Sequence, residues 1–313
     1  MSRRSTTTRF DVHFPAGRFA VACSGGSDSM ALALLAKDAG ADFIALIVDH
    51  RLRPESAEEA LWVKSQLAAR GIAAEILTYT GAAPKSNIEA KAREYRYRLL
   101  VGYCKTHGIG ALVVAHNADE QAETFLLALV RGSGVRGLSA MDAESEMNGV
   151  RVARPLLDIT KEELRLYLES KGQKWVEDPS NFDERYMRVK VRRLAAALAS
   201  LGLKRERTIA TARNMRSAAE ALDHYAARLE EEAVLSHSGR EIRLSRRAIT
   251  EAAPAVALGA LGRIFAGARP IRAETLERVL AAIASGGKMT FAGWTVGAAE
   301  GGRIAVAKRR PMV

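Results

Sequence analysis

Over the first 140 residues, short apolar runs alternate with longer stretches in which apolar positions recur at helical spacing. Residues 19–23 (FAVAC) and 43–48 (FIALIV) read as strands, as do residues near 73–77 and 111–116 (ALVVAH). Residues 29–39 carry a helical pattern closed by Gly40, and Pro54 opens a second helix that closes near Gly71. A long helix is expected from residue 87 to about 107, and another over 119–131. Repeated β-α units of this length predict an α/β domain, a parallel sheet with helices on both faces. Ligands of such sheets bind beyond the carboxyl ends of the strands.

After Arg131 the pattern changes. RGSGVRGLSAM is a glycine-rich loop, residues 160–171 read as a helix, and WVEDPSN (175–181) is rich in turn and cap residues. From Tyr186 to about Leu235 the chain reads as mostly helical, with a break around Gly202. A hairpin near 239–245, helices over 255–266 and 273–285, and paired strands around Gly301-Gly302 complete it. A boundary near residue 210 divides the chain into a domain over 1–210 and a smaller, mainly helical one over 211–313.

At 48% hydrophobic and 27% charged residues, the chain can bury a core and is not a disordered polymer. No apolar stretch approaches the ~20 residues of a bilayer span. The start, MSRRSTTTRFDVHF, is basic but lacks the apolar segment of a secretory signal, so a cytoplasmic location with no membrane partner is expected. Cys23 and Cys104 lie far apart without a CxxC pair, which argues against a disulfide framework, a zinc ribbon or a cysteine-held cluster. Oligomeric state is open, a homodimer included.

Charge is distributed unevenly. Of a net +11, residues 1–150 contribute zero (17 basic, 17 acidic) and residues 151–313 contribute all of it (30 against 19). Residues 185–216 hold ten basic residues and one acid, Glu206. A neutral half and a basic half suggest chemistry in one and a polyanion held by the other. Arg188, Arg192, Arg205, Arg207, Arg213 and Arg216 are the candidate contacts to RNA.

The sharpest local signal is SGGSDS between a strand and a helix: Ser24, Gly25, Gly26, Ser27, Asp28 and Ser29. Glycines there let backbone N–H groups close around a phosphate, and the helix N-terminus favours its charge. Asp28 is out of place beside a phosphate unless Mg2+ lies between them; otherwise it or Ser27 caps the helix. No Walker A pattern is present, and the G-x-G-x-x-G over 132–137 follows a helical pattern rather than a strand, against dinucleotide binding.

SGGSDS resembles the SGGxDS loop of the PP-loop ATP pyrophosphatases. Further blocks are similar to those of one branch, the tRNA(Ile)-lysidine synthases: VDHRLRPES (48–56) to DHxLR, NIEAKAREYRY (87–97) to E-x-x-x-R-x-x-R-Y, and HNADEQAET (116–124) with RGSGVRGLSAM to HHxDDQxET and R-G-S-G-x-x-G-L. RPLL (154–157) and WVEDPSNFDERYMRVKVR (175–192) resemble later blocks, so the likeness runs colinearly from 24 to about 193. Three positions depart from the pattern: Asn117 for a histidine, Glu120 for an aspartate and Val189 for an asparagine.

The resemblance implies a PP-loop, Rossmann-like domain that uses ATP and Mg2+. It implies adenylation of C2 of the first anticodon cytidine of an isoleucine tRNA with a CAU anticodon, then attack by lysine, releasing pyrophosphate and AMP. Residues 24–29 and Asp49 would bind ATP, Asp28 would take the metal, and Arg93 would add to charge stabilisation, unless it is only a solvated helix residue. Asp119, Glu120 and Glu123, at i, i+1 and i+4 after ALVVAH, are suited to holding an ammonium group, with one as base; the alternative is an acid-rich first turn favoured by the helix dipole. His116 is placed to meet phosphate or base. Competing readings are a tRNA-thiolating enzyme, disfavoured by the cysteines; an amide synthetase, disfavoured by the basic half; and a non-catalytic RNA-binding protein, disfavoured by the intact loop.

Overall fold

In a computed structural model of the chain, described for residues 10–51, 55–81, 88–177, 187–266, 271–299 and 302–309, the predicted β-α alternation is realised. Strands β1 (Phe19–Ala22), β2 (Phe43–Asp49), β3 (Ala74–Thr78) and β4 (Ala111–Val113) alternate with helices α1 (Ser27–Asp38), α2 (Ser56–Ala69) and α3 (Ile88–Thr106). Helices α4 (Ala118–Val130) and α5 (Val135–Leu138) follow, then a hairpin of β5 (Glu144–Met147) and β6 (Val150–Ala153), then α6 (Lys161–Ser170) and α7 (Met187–Ser200). The six strands order as β3-β2-β1-β4-β6-β5, all parallel except edge strand β5.

Both faces of this sheet are covered, as period-2 side-chain alternation requires. Phe19, Val21 and Cys23 pack with α1 and α6, whereas Ala20 packs with Leu46, Leu112 and Val152 against Leu100, Val101 and Cys104 of α3. The chain leaves β1 toward β2 on one side and reaches β4 on the other, so strand order reverses at β1. Such a reversal opens a crevice at the carboxyl ends of β1 and β4.

The chain divides into two compact units, Met1–Arg213 and Asn214–Val313, within helix α8 (Arg205–Ala233). The break expected at Gly202 is present, between α7 and α8, with Gly202 at φ +93°. The second unit carries the expected helices and gathers its strands into one sheet. Beside helices α9 (Arg246–Glu251), α10 (Pro254–Ile264) and α11 (Ala273–Ser285) it holds a five-stranded antiparallel sheet, ordered β7-β8-β11-β10-β9. Its strands are β7 (Val234–Ser238), β8 (Glu241–Ser245), β9 (Met289–Phe291), β10 (Trp294–Ala298) and β11 (Ile304–Arg309). Its core gathers Leu229, Ile242, Leu244, Leu261, Val279 and Val296. Strand β7, VLSHS, has no apolar alternation to reveal it, and pairing with β8 defines it. Among the expectations, Pro54, Gly301, most of 175–181 and the side chain of Arg188 lie outside the described residues.

Candidate functional site: a phosphate loop facing a carboxylate-bearing helix

The loop between β1 and α1 is tied by its own serines. Ser29 Oγ accepts from the Ser24 amide at 3.1 Å and donates to the Gly26 carbonyl at 3.1 Å, and Ser24 Oγ lies 3.2 Å from it. Gly25 has φ +86°, and a Cβ there would run into Val63 Cγ2, so both backbone and space demand glycine. Segment 173–177 crosses the loop, Val176 N–H donating to the Gly25 carbonyl at 2.9 Å. Gly26 is the N-cap of α1 and no side chain caps this terminus. The capping alternative for Ser27 and Asp28 therefore falls away, and the first amides of α1 keep their donors for an incoming anion.

Asp28 accepts from Ser27 Oγ at 3.0 Å. Burial raises its carboxyl above the usual range; Lys161 and Arg165 of α6 counter this, and Asp119 adds to it. A partly buried carboxylate with a single side-chain hydrogen bond, beside unused helix-terminal amides, fits Mg2+, which takes one or two carboxylates plus phosphate oxygens. No group of three or more metal-ligating side chains occurs among the described residues, so a dedicated protein cage is not what this site offers.

One strand away, α4 opens on a reciprocal cap. Asn117 Oδ1 accepts from Glu120 N–H at 3.0 Å, and Glu120 Oε2 accepts from Asn117 N–H at 3.3 Å. This gives two of the three departures a common role. Asp119 Oδ2 accepts from the Lys161 amide at 2.8 Å, and its Oδ1 accepts from Arg205 at 2.7 Å. Glu123, buried, accepts from Arg192 Nε at 2.6 Å. Desolvation works against the Arg192 charge, but Glu123 outweighs it and holds that guanidinium above its ordinary pKa. The three carboxylates thus meet protein partners, and two of the proposed RNA-contacting arginines, Arg192 and Arg205, are those partners.

The remaining expected residues lie on several elements. Asp49 is buried at the end of β2 and accepts from Arg51 N–H at 3.0 Å and Ser56 Oγ at 2.7 Å, which ties the end of β2 to the start of α2. His116 follows β4, partly buried. Arg93 is exposed on α3 with its guanidinium 5.2 Å from the Tyr97 ring. Arg213 pairs with Asp158, Arg207 is exposed, and Arg216 lies partly buried on α8 in the second unit. Sequence reasoning missed Lys161 and Arg165, because only the packing of α6 on α1 brings them near Asp28. It also missed the contact of Arg96 Nε with His50 Nε2, at 3.3 Å.

Residues 2–198 match the PP-loop domain family model. A tRNA(Ile)-lysidine synthase of Bradyrhizobium sp. is 36% identical over 91% of this chain and 88% of its own length. The chain belongs to the tRNA(Ile)-lysidine synthases of the PP-loop family. Another member, from Ruegeria pomeroyi, is 44% identical over 67% of this chain and 51% of its own length, so the chain spans about half of that relative. Among solved structures, a U34-tRNA thiolase of Methanococcus maripaludis shares the fold: TM-score 0.56, 18% identity, 68% of this chain and 74% of the other. The match of residues 2–198 to the PP-loop model makes this an ATP-using domain of a tRNA-modifying family. No helix among the described residues is long and apolar enough to cross a membrane.

Proposed function

We propose that this chain makes lysidine in an isoleucine tRNA with a CAU anticodon, by adenylating C2 of the first anticodon cytidine and then joining lysine to it. The observation that carries the reading is the pairing, at one crevice, of an uncapped phosphate loop after β1 with a carboxylate-bearing helix after β4. Loop amides and the Ser24 and Ser29 hydroxyls would hold phosphate oxygens as negative charge builds on the leaving pyrophosphate. Mg2+, held by Asp28 with the phosphates, would neutralise that charge and orient it.

The second half of the reaction needs lysine as a free amine. With a pKa near 10.4, only ~0.1% of it is unprotonated at pH 7.5, a deficit of roughly 4 kcal/mol. A site that takes the ammonium beside a carboxylate and then accepts its proton removes that deficit. Glu123, Asp119 and Glu120 are the groups available. Their present pairing with Arg192, Arg205 and the cap of α4 means that lysine would have to compete with, or displace, an arginine.

The test is incubation with unmodified CAU-anticodon isoleucine tRNA, ATP, Mg2+ and lysine, followed by nucleoside analysis. Lysidine, with one AMP and one pyrophosphate for each, is the expected result. ATP cleavage without lysidine would point to another carbonyl substrate on the same loop, and no cleavage under any combination would reduce the chain to an RNA-binding protein.

A further inference from the structure

Helices α1 and α6 lie side by side, and the contacts at their two ends fix their direction. At the far end Asp38, the last residue of α1, accepts from Tyr167 Oη at 2.9 Å and pairs with Lys171 Nζ at 2.7 Å. At the near end Lys161, the first residue of α6, gives its amide to Asp119 Oδ2 at 2.8 Å, and Ala118 N–H donates to the Ile159 carbonyl at 2.9 Å. Both of these contacts are made by the start of α4. That start shares the carboxyl edge of the sheet with the start of α1, because β4 and β1 are adjacent and parallel. The two helices therefore run in the same direction. Asp28 stands ten residues before Asp38, and Lys161 ten before Lys171, about 15 Å of helix in each case. Asp28 and Lys161 are thus level with each other, in the first turns of neighbouring helices. Lys161 also shares a helix face, at i, i+3 and i+7, with Leu164 and Leu168, which are buried in one core with Met30 and Leu34 of α1. Its side chain is half-buried and makes no ion pair among the described residues. Arg165, one turn on, is committed to Glu177 Oε1 at 2.8 Å. Burial raises the Asp28 carboxyl, and Lys161 leads the charges that pull it back down.

A lysine at this level stands beside the uncapped amides of α1. Those amides offer an anion partial charges, whereas an ammonium group offers a full one, and lysine binds phosphate as a point charge. A half-buried ammonium without a carboxylate partner has the most to gain from such an anion. We propose that Lys161 binds the pyrophosphate half of ATP from the α6 side of the phosphate loop and neutralises the charge that builds there as pyrophosphate leaves. The proposal deepens the reading of residues 24–29 as an ATP loop and rests on it; no part of it depends on the RNA. Asp28 and Lys161 then divide the work, the carboxylate taking a cation and the ammonium meeting phosphate oxygens directly. Because the two form no ion pair with each other, no bond between them has to be broken when the nucleotide arrives. The four-carbon stem of lysine lets the charge follow the phosphate as it departs.

The experiment is equilibrium dialysis of the whole protein, with Mg2+ and without tRNA, against ATP, inorganic pyrophosphate and AMP in turn. Wild type is compared with Lys161→Met and Lys161→Arg. The methionine variant removes the ammonium alone, since the bond to Asp119 is made by the main chain and survives any side chain. Lys161→Met should weaken ATP and pyrophosphate together, by about tenfold or more, as the loss of one charge-assisted contact implies, and leave AMP within about twofold. Lys161→Arg should keep most of the affinity for both. The salt dependence of tRNA binding should not move in either variant. Thermal unfolding of each variant separates lost binding from lost folding, and Lys161→Gln carries the same comparison if the methionine variant does not fold. Equal weakening of ATP, pyrophosphate and AMP would make Lys161 part of the scaffold around Asp28 and overturn the proposal. Wild-type affinity for ATP and pyrophosphate in Lys161→Met would overturn it as well, and a flatter tRNA salt slope with unchanged nucleotide binding would overturn it in favour of an RNA contact. A wild-type protein that binds neither ATP nor pyrophosphate would instead sink the reading of the loop itself.

Discussion

At the scale of single residues, Asp28 and Gly25 carry the sharpest expectations. Asp28→Asn keeps size and loses the charge that suits a cation, so pyrophosphate release should drop below detection while tRNA binding, measured by filter retention, stays within about twofold. Turnover near wild type in that variant would remove the metal role. Gly25→Ala meets two obstacles, a left-handed φ of +86° that costs roughly 1–2 kcal/mol with a Cβ and the approach to Val63. Val63→Ala in the same chain relieves the second only. ATP affinity should therefore fall at least tenfold in Gly25→Ala and recover in part in the double variant.

His50 gives a residue-scale pH expectation. Burial first, and the Arg96 charge second, lower its pKa from 6.5 to about 4, against a smaller opposing pull from Asp49. Above pH 6.5 it is neutral in both folded and unfolded chains and costs nothing. As pH falls from 6.5 toward 4, the unfolded chain takes a proton that the folded one refuses, and stability is lost over that window. Urea unfolding at pH 7 and pH 5 should show a smaller loss in His50→Gln than in the wild-type protein; equal losses would mean that His50 is not the group responsible.

At the scale of elements, α4 is held at both its start and its flank. Asn117 caps it, and Asn117→Ala should cost about 1 kcal/mol, with Asn117→Ser close to neutral, because only the side-chain oxygen is required. Arg192 of α7 meets Glu123 of α4 beside the apolar contacts of Phe125, Leu126 and Val191. Glu123→Gln keeps the shape and removes the charge that Arg192 Nε meets at 2.6 Å. Half-exposure of Arg192 lets water replace part of the loss, so about 1–2 kcal/mol of stability is expected rather than the cost of a fully buried pair. If the same carboxylate receives lysine, the apparent constant for lysine should rise far more than that for ATP, with adenylated tRNA accumulating. A rise in both together would assign Glu123 to the scaffold only.

At the scale of the whole molecule, the net charge of +11 lies entirely in residues 151–313, yet not every arginine there is available to RNA. Arg205 and Arg213 are spent on Asp119 and Asp158, whereas Arg207 is exposed and makes no ion pair among the described residues. Neutralising Arg205, Arg207, Arg213 and Arg216 together should weaken tRNA binding and flatten its salt dependence, and Arg207→Gln alone should lower the slope by about 0.7–0.9. ATP binding at the loop should hardly change, since screening acts within ~8 Å at physiological salt. Wild-type affinity and slope in the quadruple variant would make this stretch a solvated surface.

Local order along the chain was enough to predict the α/β domain, because strand and helix periods, glycine stops and the strand–SGGSDS–helix order act over a few residues. The same locality made residues 24–29 legible as a phosphate loop. What the tertiary structure alone decided is which charges meet. Asp119 with Arg205 and Glu123 with Arg192 join residues 86 and 69 positions apart, and Lys161 reaches Asp28 only because α6 packs on α1. Strand β7 and edge strand β5 were hidden for a related reason: their residues are largely exposed and polar, and a strand of that kind is defined by the backbone partner it pairs with rather than by its own sequence.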